Sequence, residues 1–260
     1  MELGSRLAAL APEAAAHFCV QVVILGLSRA AVRTFWPRHA DPWYLADTIA
    51  SIPLFWAMAL LAFQGTCALR HDVESRWHGT SVSAHLFQIF YFMRTSVHMG
   101  VVLMQHMSRR DFVLLGLHHV VTIASIGGVL VTGRMYYFAC LDGCCEVTNI
   151  WLSNVYLFRE VTVKGVTLKD RYPGLYMVNG LFLWISYVVF RLALFPYWLY
   201  SWHADVTRTT ELTWERLSNY ERYLYVSVTV FLFALSAIWF VPITKGLLKA
   251  VLRRPAVKEG

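Results

Sequence analysis

The chain has 260 residues, of which 57% are hydrophobic and only 15% are charged, whereas about 25% of residues are charged in ordinary soluble domains. This composition excludes an ordinary soluble protein and indicates a polytopic membrane protein with one membrane domain. The net charge of +7 does not indicate nucleic-acid binding, because the basic residues are spread over short loops without interleaved exposed aromatic residues.

Seven apolar segments approach the length of about 20 residues that crosses a bilayer. In chain order they are residues 11–28, 43–69, 82–106, 111–132, 135–158, 174–201 and 222–248. The first is short and contains Pro12, His17 and Gln21, so six spans plus an interfacial helix is the alternative. The predicted fold class is an all-α transmembrane helical bundle.

The chain divides into three predicted regions. Residues 1–42 form an N-terminal signal-anchor helix and a cytosolic basic loop, residues 43–250 form the membrane domain, and residues 251–260 form a cytosolic basic tail. A cleavable signal peptide is not expected, because His17 and Gln21 interrupt the apolar stretch.

The distribution of charge predicts how the bundle is oriented. If the spans alternate, 14 of the 23 Lys and Arg residues fall on one side and 7 on the other, with Arg94 and Arg191 inside spans. The side with more Lys and Arg is the cytoplasmic one. We therefore expect a cytosolic C-terminus and, with seven spans, a lumenal or external N-terminus.

The five cysteines predict neither a zinc site nor a disulfide framework, because none forms a CxxC pair and all lie in apolar segments. They are Cys19, Cys67, Cys140, Cys144 and Cys145. We interpret them as small packing residues, and no metal site is predicted.

The third and fourth spans carry polar side chains that are costly in a bilayer and are therefore candidate functional residues. They are Arg94 and His98 on the third span and His118, His119 and Thr122 on the fourth. His118 lies about seven residues, or roughly 10 Å, from the cytosolic end of its span. Thr122 shares a helical face with each histidine, and Arg109 and Arg110 precede the span at the predicted cytosolic mouth.

The fifth span carries a predicted polar stripe. Asp142, Glu146, Asn149 and Ser153 are spaced by four, three and four residues, which places them on one helical face. An ionised Glu146 within the membrane needs a partner. Arg94 is the first candidate, and a histidine of the fourth span is the second.

Further polar residues are Asn154 on the fifth span and Asn179 and Arg191 on the sixth. Interhelical hydrogen bonds, worth ~1 kcal/mol each, are the expected role of His98, Asn154 and Asn179, while Arg191 either snorkels or lines the site. For the histidine pair with Thr122 and for the polar stripe, we favour a shared cavity open toward the cytosol. Two adjacent helices with several polar groups each bring more than helix association needs.

Four stretches of the chain resemble the TLC domain family, named for homology among TRAM, Lag and CLN proteins. In chain order they are RWHGTSVSAHLFQIFYFM at 76–93, HHVVT at 118–122, EVTNIWLSN at 146–154 and NGLFLWISYVVFR at 179–191. The resemblance extends over about residues 45–250. It implies an all-helical membrane domain, usually in the endoplasmic reticulum, that is tied to lipid metabolism, trafficking or sensing.

The family's ceramide synthases transfer an acyl group from acyl-CoA to a sphingoid base, and the resemblance places their paired active-site histidines at His118 and His119. Those enzymes carry two closely spaced aspartates on the next span, where this chain has Asp142 and Cys145. Glu146 and the small polar residues after it instead resemble the branches of the family that are not ceramide synthases.

Two functions follow from these expectations. In the first, the His/Glu cavity holds an acyl chain or a membrane lipid, with a sphingoid or phospholipid head group, and the protein acts in lipid metabolism or membrane-lipid homeostasis. In the second, the protein is an acyl-CoA-dependent N-acyltransferase of the ceramide-synthase type. A transporter or a trafficking receptor is a third alternative.

In the acyltransferase hypothesis, His118 or His119 acts as base or acyl acceptor. Asp142 or Glu146 orients that histidine, and the arginines at the cytosolic mouth attract the phosphates of acyl-CoA. No cofactor is expected apart from acyl-CoA as a co-substrate, and the sequence does not predict the oligomeric state.

Overall fold

The computed structural model describes residues 3–105 and 107–252, and nearly all of these residues are helical. The α-helices within them are α1 (Leu3–Phe35), α2 (Pro42–Leu69), α3 (Val73–His78), α4 (Val82–Val102), α5 (Arg109–Thr132), α6 (Tyr136–Gly143), α7 (Val147–Glu160), α8 (Leu168–Arg171), α9 (Pro173–Tyr187), α10 (Leu194–Arg208) and α11 (Asn219–Leu252). Two short strands, β1 (Thr162–Val163) and β2 (Val166–Thr167), pair in an antiparallel hairpin.

Five helical segments of the described residues have the length and the apolar composition to cross a membrane. They are Gly4–Phe35, Pro42–Leu69, Arg109–Thr132, Pro173–Arg208 and Asn219–Ala250. Many of the polar side chains of the bundle interior lie on α4 and on the pair of consecutive helices α6 and α7. The prediction of an all-α, multi-pass helical bundle is confirmed.

The first helix is longer than the predicted span of residues 11–28. It covers Leu3–Phe35 and continues through Pro12, with neighbouring Ala and Leu residues that favour a helix. Gln21, which looked like an interruption of the apolar run, is buried, and its Nε2 donates a hydrogen bond to the carbonyl oxygen of Phe90 at 3.0 Å. This polar side chain therefore joins α1 to α4.

The loops gather at two ends of the bundle, as alternating spans require. At one end, Trp36 Nε1 donates a hydrogen bond to the carbonyl oxygen of Thr162 at 3.1 Å. At the other end, the backbone N–H of Met135 donates to the carbonyl oxygen of Trp77 at 3.0 Å. The predicted basic tail, residues 251–260, lies outside the described residues from residue 253 onward.

Aromatic packing forms much of the core at the end that contains Trp77. The ring centroids of Trp77 and Trp202 lie 4.5 Å apart, and Phe138 packs edge-on against both rings. All three side chains are buried. This cluster ties α3, α6 and α10 together, because large aromatic side chains bury more apolar surface than any other residues.

The cysteines divide into two groups. Cys140, Cys144 and Cys145 are buried in the bundle interior, whereas Cys19 and Cys67 are exposed on the surface of their helices. The predicted packing role therefore fits the three buried cysteines.

Two departures from α-helical geometry interrupt the predicted fifth and sixth spans. A 3-10 segment, Cys144–Glu146, separates α6 from α7, and a π-helical segment, Val188–Ala193, separates α9 from α10. A 3-10 turn contains fewer residues than an α-turn and a π-turn contains more. Each segment therefore changes the direction in which the side chains of the following turn point.

Gly143→Ala is expected to lower the free energy of unfolding by about 1–3 kcal/mol, because overpacking a tight core displaces its side chains. A Cβ atom at Gly143 would overlap the ring of Phe87, which is fully buried. Gly100→Ala is the matched control: nothing lies within 4 Å of its Cβ position, and alanine favours a helix. Thermal unfolding of the purified variants measures both effects, and equal midpoints would contradict the prediction.

Candidate functional site

A buried ion pair joins α2 to α4. Asp47 accepts two hydrogen bonds from Arg94, from Nη1 at 3.0 Å and from Nη2 at 3.1 Å, and both side chains are almost fully buried. Arg94 Nη2 also donates to Ser51 Oγ. His98 Nδ1 lies 2.8 Å from the second carboxylate oxygen of Asp47. Asp47 therefore neutralises a guanidinium and also orients an imidazole.

The predicted pairing of Glu146 with Arg94 is wrong. Glu146 instead accepts hydrogen bonds from Tyr91 Oη and Asn149 Nδ2, both at 2.8 Å. No hydrogen bond joins Glu146 to a histidine of α5 within the described ranges, so the second predicted partner is also wrong. Tyr91 lies about one helical turn before Arg94 on α4 and contacts the 3-10 segment that precedes α7, whereas Arg94 contacts Asp47 on α2.

Arg191 is buried and does not snorkel. Its Nε donates to Thr148 Oγ1 at 2.8 Å, and its Nη2 donates to Asn149 Oδ1 at 3.3 Å. The π-helical segment positions this side chain toward α7. Asn149 binds Arg191 through its oxygen and Glu146 through its nitrogen. One amide therefore bridges a buried cation and a buried carboxylate.

The two adjacent histidines of α5 face different neighbours. His119 packs edge-on against His98 of α4, with ring centroids 4.9 Å apart. His118 packs edge-on against Trp239 of α11, with centroids 5.8 Å apart. The rings of His118 and His119 are 5.2 Å apart. Consecutive residues are about 100° apart around a helix axis, which explains why each ring meets a different helix.

Several polar atoms of His118, His119 and Thr122 on α5 are buried without a hydrogen-bond partner among the described residues. Only 8% of His119 is exposed, and neither of its ring nitrogens has a hydrogen-bond partner in the part of the chain that the structure describes. The same is true of His118 Nδ1 and of the Thr122 hydroxyl. Buried polar groups are almost always hydrogen-bonded, and an unsatisfied one costs about 1–3 kcal/mol. This face is therefore suited to bind a polar group.

These side chains form two clusters of contacts in the bundle interior, which together we call the buried polar band. Its members are Asp47, Arg94, His98, His118, His119, Glu146, Asn149 and Arg191. His119 contacts His98, which lies against Asp47, and His118 contacts His119, so the two histidines of α5 extend the Asp47–Arg94 cluster. Within residues 3–105 and 107–252, no group of three or more His, Cys, Asp or Glu side chains is arranged to hold a metal ion.

Three other predicted residues lie beside the band. Asp142 accepts a hydrogen bond from Thr229 of α11 at 3.3 Å, and the 3-10 segment after it changes the register that a single stripe on the fifth span assumes. Asn179 Nδ2 donates to the carbonyl oxygen of Trp151 at 2.9 Å, which is the expected interhelical hydrogen bond. Asn154 makes no hydrogen bond with any described residue.

The two arginines at the start of α5 are exposed. Arg109 and Arg110 line an open groove between α5 and α11 together with Val113, Leu114 and Ile238. Leu114 lies one helical turn before His118, so this groove runs along the same helix as the band. Their predicted attraction for phosphate groups stays a prediction.

Sequence reasoning missed three residues of this region. Asp47 is the only charged residue in the predicted span 43–69, so the rule that identified the other intramembrane charges also applies to it. Tyr91 and Trp239 gave no comparable signal, because an aromatic residue in an apolar run is usually a packing residue.

Comparison with known proteins matches this chain to the TLC domain model over residues 44–245, which is more than half of its length. The chain is also similar to TLC domain-containing protein 1 of Gallus gallus, with 29% identity over 173 residues. The matched region covers 65% of this chain and 63% of the relative, so the chain spans slightly less than two thirds of the relative's length. No solved structure matches.

Proposed function

Because the chain belongs to the TLC domain family, we propose that this multi-pass membrane protein acts in lipid metabolism or membrane-lipid homeostasis by holding a lipid at its buried polar band. In this proposal His118 and His119 bind the polar group of the lipid. Its acyl chain lies along the apolar surfaces of α5 and α11, where Val113, Leu117 and Ile238 are exposed.

The observation that carries this proposal is the pair of unbonded ring nitrogens on His119. An imidazole in an apolar interior is costly when its donor and acceptor are both unused. A polar group that enters between α4, α5 and α11 would offset this cost and would be retained by the same interactions. The membrane supplies such groups on lipid molecules at high local concentration.

The two ion clusters of the band support the same proposal. Arg94 is fixed by two hydrogen bonds to Asp47, and Arg191 is fixed by hydrogen bonds to Thr148 and Asn149. A site whose supporting side chains are already held in place loses less conformational freedom on binding, which favours affinity.

The resemblance and the charge distribution suggest where the protein is located. We propose the endoplasmic reticulum membrane, as the resemblance to this family implies. The end of the bundle that carries Trp36, Arg109 and Lys164 is proposed to face the cytosol together with the C-terminus, because Lys and Arg are in excess there.

The full-length protein, purified in mild detergent, is expected to retain bound lipid, and the double variant His118→Phe/His119→Phe is expected to lose it. Phenylalanine keeps a ring at each position but removes every ring nitrogen. Loss of hydrogen bonds worth ~1–3 kcal/mol corresponds to an affinity decrease of about fivefold or more. Mass spectrometry of the extracted lipids measures the bound amount per protein.

Asn179→Leu is the control for this experiment. It breaks an interhelical hydrogen bond to the carbonyl of Trp151 outside the buried polar band, so it should keep the lipid content of the unchanged protein. Equal lipid content in all three preparations would show that the two histidines do not hold a lipid.

A further inference from the structure

We infer that the buried polar band accepts an uncharged lipid that carries a hydroxyl or an amide N–H group, and that it disfavours anionic and cationic lipids. This inference rests on the proposed function, because it specifies the class of lipid that the same site binds. It follows from the charges and the hydrogen-bonding capacity of the described side chains around His119.

The fixed charges of the band are equal in number, with the guanidinium groups of Arg94 and Arg191 and the carboxylates of Asp47 and Glu146. Arg94 forms a two-point ion pair with Asp47. Arg191 and Glu146 bind opposite ends of the same Asn149 amide. The band therefore has no excess of cations or carboxylates that a charged head group would neutralise. A buried charge without a partner is strongly disfavoured.

His119 does not supply a compensating charge either. Neither ring nitrogen of His119 contacts a carboxylate of the described residues, so a protonated His119 would itself be an unpaired buried cation. The neutral imidazole has one N–H donor and one nitrogen acceptor. A ligand that satisfies both must offer an acceptor and a donor, as a hydroxyl group does and as an amide does through its carbonyl oxygen and its N–H.

Neighbouring atoms extend the same hydrogen-bonding surface. His118 Nδ1 and the Thr122 hydroxyl are buried on the same face of α5 and have no partner among the described residues. Both are uncharged groups. By contrast, Arg109 and Arg110 are exposed at the start of α5, outside the band, and the described residues give them no ion pair. Anionic head groups would be attracted to that end of the helix.

Three photoactivatable lipids with identical diazirine-bearing acyl chains test the inference. They are a diacylglycerol with a free hydroxyl, its methyl ether without a donor, and the corresponding phosphatidic acid. Each is added at the same fraction to nanodiscs that contain the full-length protein, and labelled peptides of α5 are quantified by mass spectrometry. The diacylglycerol is expected to label α5 about tenfold more than either of the others, as loss of a buried hydrogen bond predicts.

Two variants assign the labelling to His119. His119→Phe is expected to lose the preference for diacylglycerol. His119→Gln is expected to retain much of it, because a neutral amide also offers a donor and an acceptor. Both variants are compared by thermal unfolding, so that a loss caused by misfolding is recognised, and the glutamine variant then decides the assignment.

Each unfavourable outcome has a distinct meaning. Phosphatidic acid labelling as strong as that of diacylglycerol, or equal labelling by the methyl ether, would overturn the uncharged hydroxyl class while lipid binding stands. Labelling by none of the three lipids above the His119→Phe background, together with unchanged co-purified lipid in the histidine double variant, would overturn the proposed function itself.

Discussion

Asp47→Ala is expected to lower the free energy of unfolding by about 3–5 kcal/mol, because it leaves a buried guanidinium without its partner. Arg94 is 4% exposed and donates two hydrogen bonds to the Asp47 carboxylate. His98 loses its carboxylate contact at the same time. Chemical or thermal unfolding of the purified protein in detergent measures the change.

The double variant Asp47→Ala/Arg94→Met separates the charge effect from a packing effect. A buried ion pair that is replaced as a whole by apolar side chains often costs little stability. The double variant should therefore be more stable than Asp47→Ala alone, although it lacks one more native side chain. If the second substitution added to the first loss, the ion pair would not be the source of the destabilisation.

The fold class was predictable because a membrane imposes a simple rule on sequence. Backbone groups in a bilayer must be satisfied within the segment, so spanning segments are long apolar helices. The runs at residues 43–69 and 111–132 therefore lie within one to two residues of α2 and α5. The 3-10 segment at Cys144–Glu146 could not be predicted from the sequence, because 3-10 and α-helical segments of a membrane span are built from the same kinds of apolar residue.

The candidate site was only partly predictable, because helix periodicity gives the face of a residue but not the neighbour that this face meets. His98 and Glu146 were identified as costly polar residues in a span, and both lie in the buried polar band. The pairing of Arg94 was wrong, because a depth estimated along two helices does not give their relative rotation. Asp47 competes for the same guanidinium from α2, and only the packing of α2 on α4 reveals it.

Asp205→Ala is expected to lower the free energy of unfolding by about 3 kcal/mol. Asp205 lies at the end of the bundle that contains Trp77, opposite the end that contains Trp36. Asp205 accepts hydrogen bonds from Arg76 Nε at 2.8 Å and from Trp77 Nε1 at 3.0 Å. Trp77 is fully buried, so its indole N–H would be left unsatisfied, and Arg76 would lose a two-point partner. The same unfolding measurement applies.

Glu74→Ala is the matched control, because Glu74 lies on the same short helix as Arg76 and also forms an ion pair with a distant loop. Its partner is Arg216, at 3.2 Å, but the two side chains are 56% and 46% exposed. Exposed ion pairs contribute about 0–1 kcal/mol, since water and salt screen them. A large loss for Asp205→Ala beside a negligible one for Glu74→Ala would show that burial, and not the number of ion pairs, determines how firmly α3 is held against α10. Equal losses would mean that α3 is held by its charges wherever they lie.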